Sequence, residues 1–87
     1  MATDLDEEIR RAEQAAMILN HPIYVEAFEK LEKEVLDAWI SSPSRDAEGR
    51  ESLWLSLKLL RQTRAHMESL VTTGRMADVQ LSRRGAR

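Results

Sequence analysis

The chain has 87 residues, no cysteine, and 13 basic against 15 acidic side chains for a net charge of −2. That length allows one small domain, near the size at which a single core becomes marginal, and without cysteine neither a disulfide nor a thiolate-held zinc can staple it. No run approaches the roughly 18 apolar residues of a membrane span. The acidic opening Asp4-Leu5-Asp6-Glu7-Glu8 is the opposite of a signal or transit peptide, so a protein of the cytoplasm, or of something assembled there, is expected.

A first helix is predicted over about 4–20. Thr3 can cap its free amides, and Asp6 and Glu7 suit the positive end. Leu5, Ile9, Ala12, Ala16 and Leu19 repeat at helical spacing, a stripe weakened by its two alanines, which bury little area but permit close approach. Pro22 lacks an amide hydrogen and disfavours helical geometry at His21, yet it suits the first position of a new helix capped by His21 or Asn20. Two separate helices are therefore predicted in preference to one kinked helix.

The second helix is predicted over 22–40, with Tyr24, Phe28, Leu31, Val35 and Ala38 on one face. Glu26–Lys30 and Glu29–Lys33 have the favourable order for i,i+4 pairs on the other face. Val25, Leu36, Trp39 and Ile40 widen the apolar surface beyond a two-helix seam. Ser41-Ser42-Pro43-Ser44 ends the helix, and Ser44 or Asp46 can cap the next.

The third helix is predicted over 46–73, with Leu53, Leu57, Leu60, Met67 and Val71 facing the second stripe and Gly74 as its left-handed stop. Arg64 falls on that stripe. Such a charge either snorkels outward along its stem or pairs with an acid such as Glu26 or Glu29. Residues 82–87, Ser82-Arg83-Arg84-Gly85-Ala86-Arg87, read as a basic disordered tail on a single domain of residues 1–81. The fold expected is all-α: an antiparallel helical hairpin with an additional N-terminal helix, three in all, oligomeric or partner-bound because two packed helices without a staple leave much apolar surface exposed.

Charge is unevenly distributed. Residues 1–44 hold ten acids and four bases, residues 45–87 five acids and nine bases. In an antiparallel hairpin these halves lie side by side, which favours pairing within or between chains.

The sequence offers little chemistry. His21 and His66 fall at similar height in a hairpin folded about residues 43–44, but a metal site requires a third convergent ligand and no cysteine or further histidine exists. No phosphate-binding glycine loop, His-Glu-x-x-His motif or nucleophile–base arrangement occurs. No catalytic, cofactor or metal role is assigned, and a non-enzyme is expected. Trp39 and Trp54 bracket the turn, where one can plug the end of the core, the commoner use of tryptophan in a small protein; the interaction reading takes Trp39, Ile40 and Trp54 as exposed anchors, because tryptophan is enriched among residues that dominate binding energy, together with Arg64. The alternative is phosphate contact by Arg75, Arg83, Arg84 and Arg87, which lack the interleaved aromatics of a nucleic-acid interface.

The runs Leu19-Asn20-His21-Pro22-Ile23-Tyr24-Val25-Glu26-Ala27-Phe28, Asp46-Ala47-Glu48-Gly49-Arg50-Glu51-Ser52-Leu53-Trp54, Arg64-Ala65-His66-Met67-Glu68-Ser69-Leu70 and Thr73-Gly74-Arg75-Met76-Ala77 resemble small all-helical proteins of tailed bacteriophages and prophages. The resemblance covers about three quarters of the chain. Members of that group are mostly of unassigned function, so it implies a setting and not a role. It suggests a host-cytoplasmic or virion protein that binds copies of itself or a phage structural protein. A nucleic-acid-associated regulator and an inhibitor of a host enzyme are the other readings.

Overall fold

The computed structural model describes residues 4–85, and they form three helices: α1 (Asp4–Leu19), α2 (Pro22–Ser41) and α3 (Ala47–Gly85). The expected cap at Thr3 lies outside the described residues. Acidic Asp4, Asp6 and Glu7 occupy the first turn of α1, where the helix dipole favours them. The helix closes with the Asn20 amide donating to the Ala16 carbonyl at 3.0 Å.

The break at His21-Pro22 is complete. His21 has extended backbone (φ −70°, ψ 127°), its Nδ1 accepts from the Ile23 amide at 3.1 Å, and Pro22 takes the first turn of α2, where no amide hydrogen is missed. At the far end of α2, Ser42 returns to extended backbone and its amide donates to the Trp39 carbonyl at 3.2 Å. Asp46, not Ser44, caps α3: its Oδ1 accepts from the Gly49 amide at 3.1 Å.

All three helices are organised by α3, which at 39 residues is about 58 Å long and serves as the spine of a rod measuring 64 × 24 × 19 Å. Its N-terminal half runs antiparallel to α2, with Glu32 bonded to Arg61 and Arg50 to the Trp39 carbonyl. Its C-terminal half runs antiparallel to α1, with Gly74 against Ala12. The N-terminal helix is therefore not an appendage to a hairpin. It extends the hairpin along the same spine.

Gly74 does not end the helix. No glycine among the described residues has positive φ, and α3 continues through it to Gly85, so Ser82–Gly85 are helical and not a disordered tail; Ala86 and Arg87 lie outside the described residues. A glycine is required at 74 for a different reason. A Cβ there would overlap the Ala12 methyl and lie 3.1 Å from the Glu8 carbonyl oxygen. Ala12, Ala15, Gly74 and Ala77 are all buried, and Ala77 most of all, at 1 % exposure. The predicted members Leu5, Ile9, Ala12, Ala16 and Leu19 are all buried or half-buried, and Ala15, outside the predicted stripe, is more deeply placed than Ala16.

The α2 half is built differently. Phe28 is its one buried side chain, with Tyr24 and Val35 half-buried, whereas Leu31 and Ala38 of the predicted stripe are exposed. Opposite them Leu53, Leu57, Leu60 and Met67 are half-buried. Large side chains hold α2 off the spine, and α1 lies far more intimately against it.

Two stability outcomes follow from this packing. Gly74→Ala gains roughly 1 kcal/mol of helix propensity but overpacks the Ala12 contact at a cost of up to about 3 kcal/mol. Thermal unfolding followed by circular dichroism is expected to show a net loss of about 1–2 kcal/mol, while Gly85→Ala, with open space around it, shows none. His21→Ala removes a helix cap and is expected to cost about 1 kcal/mol, most of it recovered in His21→Asn.

Candidate functional site

Two tryptophans mark one side of the wide half. Leu36, Trp39, Leu53, Trp54 and Leu57 line an apolar groove of about 210 Å³ between α2 and α3, next to the turn. The same side continues along α3 as a shallow trough of about 330 Å³ lined by Trp54, Leu57, Lys58, Arg61, Gln62 and Ala65. Helical spacing sets Ile40 one turn beyond Leu36 on this side, and Val25 three turns before it. Trp39 is 39 % exposed, Trp54 53 % and Ile40 72 %. Neither tryptophan plugs the end of a core. Both rim a groove.

The turn end is held by Arg50. Its Nη1 donates to the Trp39 carbonyl at 3.2 Å, the Ser42 carbonyl at 3.3 Å and Ser42 Oγ at 2.9 Å, and its guanidinium lies 3.8 Å from the centre of the Trp39 ring. Ser42 Oγ in turn donates to the Trp39 carbonyl at 2.6 Å. One arginine thus engages the Trp39 carbonyl in the last turn of α2 and the cap residue Ser42, and stacks over the indole that rims the groove. Helical periodicity gives no hint of this residue, because its partners are set by the turn and lie eight to eleven positions away.

Charged groups border the groove. Glu32 Oε2 accepts from Arg61 Nε at 2.9 Å across the two helices, and Lys58 Nζ stands 5.1 Å from the centre of the Trp54 ring. On the outer side of α2, Lys33 pairs with Asp37 at 2.6 Å, not with Glu29; that exposed carboxylate holds the ammonium above its ordinary range.

Arg64 is paired, but not with Glu26 or Glu29. Its guanidinium lies 4.8 Å from the centre of the Phe28 ring and 3.4 Å from Glu68 of its own helix. It therefore spans the seam over an aromatic face and stays half in water. It does not line the tryptophan groove with Trp39 and Trp54.

The arginines of the alternative reading are dispersed. Arg75 shares shallow grooves with Glu13, Glu68 and Asp78, Arg83 and Arg84 are exposed in the last turn of α3, and Arg87 lies outside the described residues. His21 is engaged as a helix cap and His66 is exposed. Among the described residues no group of three His, Asp or Glu side chains is placed to hold a metal, and no helix is long and apolar enough to cross a membrane.

No family model matches the chain, and no curated protein and no solved structure was found to be similar to it. The groove is thus characterised by its own geometry alone.

Replacing Arg50 by Met keeps an apolar stem but removes the three donated bonds and the charge over Trp39. The expected result is a loss of about 1–2 kcal/mol, with a red-shifted tryptophan emission and faster amide exchange over residues 39–50 while α1 stays protected.

Proposed function

We propose that this chain acts by association and not by catalysis, as a non-enzymatic helical interaction protein whose working surface is the groove rimmed by Trp39, Ile40 and Trp54. One observation carries the reading. The fold encloses almost nothing large: among the described residues Phe28 is the one buried side chain bigger than alanine, while both tryptophans stand half in water around an apolar groove. Indoles exposed in that way are the residues that dominate binding energy at protein interfaces, and the groove is too open and too free of polar groups to orient a substrate. The resemblance to small phage proteins makes a structural or assembly component of a virion the setting we favour, in the host cytoplasm or the particle itself.

Contact with nucleic acid has less support. Arg61 and Arg64 are engaged by Glu32 and Glu68, and Arg75 lies among acids, so these arginines form no continuous basic track among the described residues.

A photo-crosslinking amino acid at position 40, introduced in cells that produce the protein, tests the reading. Adducts to protein are expected on irradiation, either to a second copy or to a different chain, and the same group at the exposed position of Glu34 is expected to give few. Irradiation that leaves the position-40 variant entirely uncrosslinked would overturn it.

A further inference from the structure

We infer that the joint between α1 and α2 is a pH-sensitive device: neutral His21 holds the start of α2 in place, and protonation of its ring releases the first turn of that helix while α1 stays on the spine. The joint lies at the opposite end of α2 from the tryptophan groove, and its response to pH is separate from anything that groove does.

The geometry assigns the ring its charge state. The Ile23 amide donates to His21 Nδ1 at 3.1 Å, and an amide N–H has only a proton to give. Nδ1 must therefore offer a lone pair, which leaves the ring proton on Nε2 and the ring uncharged. An imidazolium carries a proton on both nitrogens and has no acceptor left. The cap is thus present with the neutral ring and is lost as pH falls through the range in which histidine gains its charge, between about pH 8 and pH 5. Charge works in the same direction, because a cation at position 21 faces the positive end of the α2 dipole. Serine, threonine and asparagine, common helix caps, keep an acceptor oxygen throughout that range. So does Asp46, which caps α3, since a carboxyl group retains an acceptor oxygen in either state. Histidine is the cap that a proton removes.

The surroundings give the imidazolium nothing in exchange. The first turn of α2 has no acid, and the nearest one on that helix is Glu26. The last turn of α1 has no base, and the nearest charge on that helix is Glu13. From α3, Glu68 and Arg75 line a shallow groove with Asn20, and they are of opposite sign, with Glu68 engaged by Arg64 at 3.4 Å. Tyr24 sets its ring against Phe28, and His66 of α3 is exposed. Among the described residues none of these groups is bonded to His21.

The release is local because the two halves of the rod are held separately. Contact of Ala12 with Gly74 fastens α1 to α3 well inside α1. The first turn of α2 has the His21 ring on the Ile23 amide and the His21 carbonyl on the Val25 amide at 3.0 Å. Ile23 is 64 % exposed, so little packing holds that turn once the cap is gone.

Nuclear magnetic resonance of the whole chain, taken from about pH 7.5 to about pH 5.5, tests this. The Ile23 amide signal is expected to move in step with the His21 ring signals, while the Gly49 amide on Asp46 stays in place. Protection of the Ile23 and Val25 amides against exchange, corrected for the intrinsic pH dependence, is expected to fall roughly fivefold. The proximity signal between the Ala12 methyl and the Gly74 α-protons is expected to persist. His21→Asn is expected to abolish the loss of protection, and His66→Gln to leave it unchanged. An Ile23 amide that stays still while the His21 ring titrates would overturn the inference. So would a loss of protection that survives in His21→Asn, or a proximity signal of Ala12 with Gly74 that vanishes at the lower pH.

Discussion

The contact of Gly74 with Ala12 governs how the rest of the molecule is arranged. With no side chain on one helix and a methyl on the other, α1 and α3 approach until backbone nearly touches backbone, as the 3.1 Å between the Glu8 carbonyl and the place of an absent Cβ shows. Ala15 and Ala77, each one turn from that contact on its own helix and on opposite sides of it, are also buried. Such an interface gains dispersion contact along the main chain but removes little apolar side-chain area from water. It gives alignment and rigidity, and leaves the burial of large groups to the other half of the rod.

That other half cannot follow the same spacing. Phe28, Leu53, Leu57 and Leu60 are too large for a backbone-close seam, so α2 stands farther from the spine. One uninterrupted helix opposite α3 would have to change its distance abruptly partway along. The break at His21-Pro22 lets α1 and α2 take separate paths, and its cost is small because the His21 ring caps the freed amide and Pro22 has none to free. The proline is the joint between two packing regimes, and its place is dictated by where small residues give way to large ones.

Much of this was legible in the sequence, and the misses share a cause. The helix count, the break at Pro22 and the antiparallel turn at Ser41–Ser44 follow from periodicity and from proline, which are local signals. Gly74 reads as a stop because a glycine after a long helical stripe commonly takes positive φ at a helix end; only the partner helix reveals that it is a contact point. Ala15 was passed over for Ala16 for the same reason, since alanines carry little hydrophobic signal with which to choose a face. Trp39, Ile40 and Trp54 stood out by type and place. Arg50 did not, because a clamp on carbonyls across a turn has no period, and Arg64 found Phe28 and Glu68 where opposite charge alone pointed to Glu26 or Glu29.

The two regimes also bear on why both tryptophans stand at the surface of the wide half. A two-helix pair buries at most one face of each member, and in the narrow half the fully buried residues are small, Ala12, Ala15, Gly74 and Ala77, with Leu5, Ile9, Leu19 and Val71 half-buried around them. In the wide half the large side chains outnumber the places between the helices, and the surplus emerges on the side of Leu36, Trp39 and Trp54. Moving those groups inward would require α2 to stand still farther off and would open the seam around Phe28. Leaving them at the surface forgoes part of their hydrophobic free energy. The tight half therefore fixes the geometry, and the loose half keeps part of its large apolar side chains at the surface.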